Sequence, residues 1–119
     1  MKGFIKSLSY ALGGLFSALK SERNLRIHLI ATVLALALGF YIGLSLVEWG
    51  FVIFAIGFVI VAELFNTAME RLGDEAANGQ QKMNIKRAKD TAAAAVLLSA
   101  VTALIIGILF LIVPLVRGG

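Results

Sequence analysis

Polar residues are scarce along this chain, and their positions divide it into helical stretches. Between residues 3 and 21, Phe4, Ile5, Leu8, Leu12, Leu15, Phe16 and Leu19 recur at helical intervals, with Lys6, Ser9, Ser17 and Lys20 opposite. That pattern predicts an amphipathic helix over residues 1–22, which lies in a membrane interface instead of crossing it. Three later runs are apolar and long enough to span a bilayer: 27–47, 50–72 and 87–116. The segment KSERNLRIH (20–28) is the charged junction into the first span, and GDEAANGQQKMNIKR (73–87) reads as a polar loop before the third. No internal repeat is visible.

Small and aromatic residues refine this outline. Gly39 and Gly43 form a GxxxG pair that permits close helix packing, and Ala92, Ala95, Ser99 and Thr102 make a small-residue face on the third span. Phe40, Tyr41 and Trp49 fall where aromatic rings anchor at a membrane boundary. Pro114 marks the finish of the last span.

Composition then removes whole classes of function. At 119 residues and 60% hydrophobic, the chain exceeds the apolar share of soluble domains, which seldom rises much above about half. Little is left for an extramembrane domain, so residues 1–119 read as one all-α membrane unit whose chemistry sits at the bilayer boundary. The first span starts too far in, behind an amphipathic stretch, to be a cleaved signal peptide. Cysteine is absent, which excludes disulfides and thiolate chemistry. Ten of the eleven Lys and Arg residues lie before residue 27 or between 71 and 89, whereas the connection 44–50 carries Glu48 and no basic residue. The positive-inside rule puts the N-terminus and the 73–86 loop in the cytoplasm and the C-terminus outside. A basic rim beside anionic headgroups accounts for the net charge of +4 without a nucleic-acid partner.

The second span ends in a row of polar residues: Glu63, Asn66, Glu70 and Asp74. At about 100° per residue they fall within roughly 60° of one helix face. Counting about 1.5 Å per residue from Gly50, Glu63 lies some 20 Å into a core roughly 30 Å thick, where an ionisable side chain marks a function by default. Antiparallel folding of the spans gathers this row with Glu22 in the junction and Lys89–Asp90 at the start of the third span. Carboxylates so placed suit a hard cation such as Mg²⁺, a nearby lysine suits phosphate, and the desolvated Glu63 suits a general base. Together they suggest phosphoryl transfer to a membrane alcohol. Taken singly, Glu70, Asp74 and Lys89 also fit interfacial ion pairs with Arg71 and Lys86, and His28 reads as a residue near the headgroups, not a metal ligand. Neither GxxxxGK[ST] nor GxGxxG occurs. A small cation-coupled transporter subunit using Glu63 is the alternative of another class, although such a carboxylate belongs nearer the midplane.

The segments ELFNTAMERLGDE (63–75), AKDTAAAAV (88–96) and KSERNLRIH (20–28) resemble the small prokaryotic diacylglycerol kinase/undecaprenol kinase family across almost the whole chain. The form of the junction is closer to the undecaprenol kinases of Gram-positive bacteria. The resemblance implies a homotrimeric helical bundle with active sites shared between subunits, using MgATP to phosphorylate undecaprenol or, alternatively, diacylglycerol. It implies Glu63 as catalytic base, Asn66 and Asp74 in support, and Glu22 and Glu70 on the metal. It assigns Tyr10, Glu22, Glu70, Lys89 and Asp90 to ATP, and Glu63 and Ala93 to the lipid. Two departures limit the carry-over: an acidic residue stands in place of His28 in the Gram-negative branch, and NGQQKMN (78–84) lacks the Tyr-His pair common in relatives.

Overall fold

The structure, a computed structural model, describes residues 1–118. Helix α1 (Lys2–Ser21) is followed by α2 (Arg23–Ile42), α3 (Leu46–Ala77) and α4 (Met83–Gly107), the last continuing through a π-helical stretch, Ile108–Ile112, into a final turn, Val113–Val116. No strand occurs among the described residues. Helices α2, α3 and the run Met83–Val116 are each long and apolar enough to cross a membrane.

Helix α3 is the central element, packed along much of its length on α4 and more briefly on α2. Its buried residues Val52, Ala55, Val59, Glu63 and Thr67 recur every three or four positions, so they form one inward stripe. The stripe is apolar for its first three members and polar after that. Helices α2 and α4 instead turn most of their large side chains outward, Leu34, Leu97 and Leu98 each being over 60% exposed. Such surfaces would aggregate in water but cost nothing against lipid tails. The apolar residues of α1, among them Phe4, Ile5 and Phe16, are likewise exposed, while Ala18 is buried where α1 meets its neighbours.

The helix ends explain where the sequence reading shifts. Span one was expected to run to residue 47 and span two to begin at 50, yet the turn occupies only 43–45. Gly43 adopts a left-handed conformation (φ 79°) that closes α2, and Ser45 and Glu48 form a reciprocal capping box that starts α3 early. The polar segment after Gly73 was expected to be loop. It is helical to Ala77 and again from Met83, leaving only 78–82 as connection.

Gly39 and Gly43 do not act as a packing pair. Gly43 is the cap, whereas Gly39 faces the edge of Trp49: a Cβ there would lie 2.7 Å from Trp49 Cη2. Trp49 is thus a packing residue as well as an aromatic near a helix end, with its ring centroid 4.8 Å from that of Phe40. Gly39→Ala should therefore destabilise the detergent-solubilised protein by about 1–3 kcal/mol in thermal unfolding, because overpacking outweighs the gain in helix propensity of at most ~1 kcal/mol. An unchanged or raised midpoint would mean that the ring swings aside freely.

On α4 the face turned inward is not the small-residue face expected. Ser99 is fully buried and Ala92, Val96, Ala100 and Ala103 are half-buried, but Ala95 and Thr102 are exposed. Pro114 does not end the helix. It lacks the N–H that would bond to the Phe110 carbonyl, and the backbone widens into the π-helical stretch just before it, continuing to Val116.

Candidate functional site

The break between α1 and α2 falls at Glu22, whose extended backbone (φ −109°, ψ 110°) ends one helix and caps the next. Arg26 Nη1 donates to the carbonyls of Leu19 and Lys20 at 2.8 and 2.9 Å, satisfying the C-terminal end of α1. Arg71 Nη2 on α3 donates to Ser21 Oγ at 2.7 Å. These bonds, together with the buried Leu25, hold the junction against the polar end of α3.

Two polar groups stand on that end of α3. The deeper is Glu63, only 3% exposed, whose Oε1 lies 3.2 Å from Nε2 of His28 on α2. The distance is that of an ion pair, but the approach is too poorly aligned for a hydrogen bond, and Glu63 Oε1 is left without one. Asn66 Oδ1, one turn on, is also buried and unpartnered. Two such acceptors in an apolar helix bundle are costly unless a ligand supplies donors. The hydroxyls beside them are spent locally, Thr67 donating to the Glu63 carbonyl at 3.0 Å and Thr32 to the His28 carbonyl at 2.8 Å.

The outer group is an ion cluster around Lys89. Its Nζ lies 3.4 Å from Glu70 Oε2 and is hydrogen-bonded to Asp74. The lysine stem crosses α3 at Gly73, where a Cβ would come within 3.0 Å of Lys89 Cε. Glycine is what lets the two helices approach here.

Of the residues singled out in the sequence, the structure brings Glu63, Asn66, Glu70, Asp74 and Lys89 onto one surface. Asp90 departs from it: it pairs with Lys86 at 2.7 Å on the outer side of α4, because neighbouring residues on a helix point about 100° apart and only one of the Lys-Asp pair can face α3. Lys86 thus pairs with Asp90 and not with Glu70 or Asp74, which form interfacial ion pairs with Lys89 instead. Glu22 is half-buried and makes no ion pair among the described residues. Tyr10 is 75% exposed on α1, about three turns back from Ser21, and Ala93 is exposed on α4. The residue that sequence reasoning passed over is His28, set aside as a headgroup neighbour, which proves to be the partner of Glu63.

No group of three or more His, Cys, Asp or Glu side chains able to cage a metal ion occurs among the described residues. A cation such as Mg²⁺ does not require such a cage, being commonly held by one or two carboxylates plus substrate phosphates. Glu70 is partly exposed beside Lys89, and Glu22 is half-buried at the junction.

Below His28 an apolar cleft of about 450 Å³ opens between α2, α3 and α4. His28 is the one ionisable residue of its lining, and Val52, Val59 and Leu111 are among its walls. Val52 and Leu111 also belong to a buried cluster with Leu44, on which Leu38, Trp49 and Phe110 pack.

Residues 9–111 match the profile described as prokaryotic diacylglycerol kinase. An undecaprenol kinase of Bacillus subtilis is 38% identical over 106 residues, covering 89% of this chain and 85% of its own length. A diacylglycerol kinase of Synechocystis is 34% identical over 109 residues, covering 92% of this chain and 62% of its own length.

Proposed function

The chain belongs to the prokaryotic diacylglycerol kinase family, and we propose that within it this protein transfers the γ-phosphate of ATP to undecaprenol. Membership makes it a multi-pass membrane kinase that acts on a lipid alcohol, and sets aside the transporter reading. The choice of undecaprenol is supported by the 38% identity to the Bacillus subtilis undecaprenol kinase, and the observation that supports proton transfer from a lipid hydroxyl is the buried carboxylate of Glu63, beside His28 but with no hydrogen bond to its Oε1.

The two polar groups divide the chemistry. A lipid hydroxyl arriving from the bilayer meets Glu63, which accepts its proton as the oxygen bonds to the γ-phosphorus and ADP leaves. Glu70 stands about 10 Å further along α3, with Lys89 of α4 beside it, on the side from which a nucleotide would come. Lys89 neutralises phosphate charge there, and Asn66, lying between the two groups, orients a phosphate oxygen or the hydroxyl. Asp74 holds Lys89 in place. Glu22 and Glu70 would hold Mg²⁺, whose charge offsets that of the transferring phosphoryl group. Tyr10, Asp90 and Ala93 enter this scheme on the family resemblance: the first two toward ATP, Ala93 toward the lipid. The N-terminus and the site face the cytoplasm, where ATP is, and a homotrimer completes the walls that three slender helices leave open.

The deciding experiment presents purified protein with ATP in mixed micelles containing undecaprenol or diacylglycerol at matched surface concentration. Faster, magnesium-dependent phosphorylation of undecaprenol is expected. A preference for diacylglycerol would keep the mechanism and move the protein to the other named activity of its relatives. No transfer to either, by protein with a native helical spectrum, would overturn the reading.

A further inference from the structure

We propose that His28 carries away the proton that Glu63 takes from the lipid hydroxyl, delivering it to water at the membrane boundary. This rests on the lipid-kinase reading and follows its proton one step further.

Each turnover leaves a proton on Glu63, and the next cannot begin until that proton has gone. The carboxylate is badly placed to lose it unaided. Its side chain is 4% exposed, and Oε1 is fully buried with no hydrogen-bond partner. The neighbouring polar groups offer no way out. Thr67 and Thr32 donate to backbone carbonyls, and an amide such as that of Asn66 takes up no proton near neutral pH. The next titratable side chain along α3, Glu70, stands about 10 Å away and is already paired with Lys89.

His28 differs from all of these. Its Nε2 lies 3.2 Å from Glu63 Oε1, and its side chain is 27% exposed, so the ring joins the buried oxygen to the surface. Glu63 is the one acidic side chain within ion-pair reach of it among the described residues, and α4 contributes no ionisable residue to the cleft that His28 lines. Along α2 it comes five residues after Arg23, about 7.5 Å from the charged junction. Imidazole is also the side chain suited to both taking and giving a proton near neutral pH. The contact is close but unaligned, so the pair is not locked as a structural salt bridge would be. A small rotation of the ring brings Nε2 into line, and catalytic hydrogen bonds commonly tighten in this way when a site fills.

As the lipid oxygen bonds to phosphorus and the bond to ADP breaks, the hydroxyl proton passes to Glu63, which becomes a neutral acid. That acid gives the proton to Nε2 of a neutral imidazole whose Nδ1 holds the ring's own hydrogen. The imidazolium, beside a carboxylate again, releases the Nε2 proton to water on its exposed side. Both groups return to their starting forms, and one proton leaves for each phosphate transferred.

The first test separates carrying a proton from filling space. In His28→Ala, imidazole should restore turnover in proportion to its concentration. Pyrazole, a ring of the same size that stays unprotonated at neutral pH, should not. Equal rescue by the two rings would make His28 a spacer that only holds Glu63, and rescue by neither would leave it no part in proton transfer. Either result overturns the proposal. His28→Gln keeps a polar side chain against Glu63 but carries no proton. Its kcat should rise with the concentration of a small proton-carrying buffer at constant pH and ionic strength, while that of the parent does not. A buffer-independent rate in His28→Gln would likewise overturn the relay.

A third measurement needs no turnover. His28 is the chain's only histidine, so labelling histidine with ¹⁵N yields one pair of ring-nitrogen signals. Glu63→Gln should shift the Nε2 signal well beyond the Nδ1 signal. Signals indifferent to the substitution would remove the contact, and the relay with it. If the parent protein phosphorylates no lipid alcohol, the lipid-kinase reading falls and takes the relay with it. Parent turnover with failed rescue overturns the relay alone.

Discussion

Glu63→Gln should abolish phosphoryl transfer, lowering kcat by at least about a hundredfold, the lower end of what a positioned general base contributes. Glutamine keeps the length and planarity of the side chain but cannot accept the hydroxyl proton. The site is already 3% exposed and packed in the stripe of Val59 and Thr67, so an isosteric neutral group leaves the helices in register. A single neutral amide also costs less in an apolar interior than a carboxylate without an aligned donor. The variant should therefore keep its helical circular dichroism and its elution in detergent. Activity within tenfold of the parent would remove Glu63 from the base role, since no other buried carboxylate occurs among the described residues.

His28→Ala should be the second most damaging change, with kcat lower by roughly ten- to a hundredfold and the KM for ATP little altered. Proton acceptance requires the carboxylate within hydrogen-bond reach of the hydroxyl, and His28 Nε2, 3.2 Å from Glu63 Oε1, is the side chain that limits where that oxygen can swing. His28 therefore acts as a positioning residue, working through Glu63. The ring also borders the cleft, so its removal leaves a space of imidazole shape. Added imidazole should restore a substantial part of the rate. A purely structural role predicts loss without rescue, with a lowered unfolding midpoint. His28→Gln, which retains a donor near the same place, should fall between the two.

The acidic row was legible in the sequence because two independent rules meet on it. Helical spacing puts Glu63, Asn66 and Glu70 on one face, and the cost of an ionisable group in lipid demands a reason for Glu63. Thr67, buried on that same stripe, went unread because a threonine inside a helix carries no such cost once its hydroxyl bonds back to the preceding turn. The contact of His28 with Glu63 was not legible, since it depends on the register of α2 against α3 across a three-residue turn. A shift of one turn along the axis, about 5.4 Å, would separate them. The same holds for the choice between Lys89 and Asp90. Sequence brings both to the site, and only the rotation of α4 decides that the lysine faces inward. Helix ends fared differently again: Ser45-x-x-Glu48 is a start signal readable in advance, but its weight against an apolar run continuous through residue 47 becomes clear only once Gly43 is found left-handed.

Trp49 is the chain's one tryptophan, and its indole edge rests on Gly39 at the end of the molecule away from the charged rim. About 21 Å of α3 separates it from Glu63. The native protein therefore carries its own optical probe of the α2–α3 hairpin, needing no label. Indole emission that shifts only on denaturation would report hairpin opening alone. Emission that also responds to nucleotide or lipid alcohol would reveal that occupancy at one end of α3 is felt at the other, through a helix of 32 residues acting as a rigid lever.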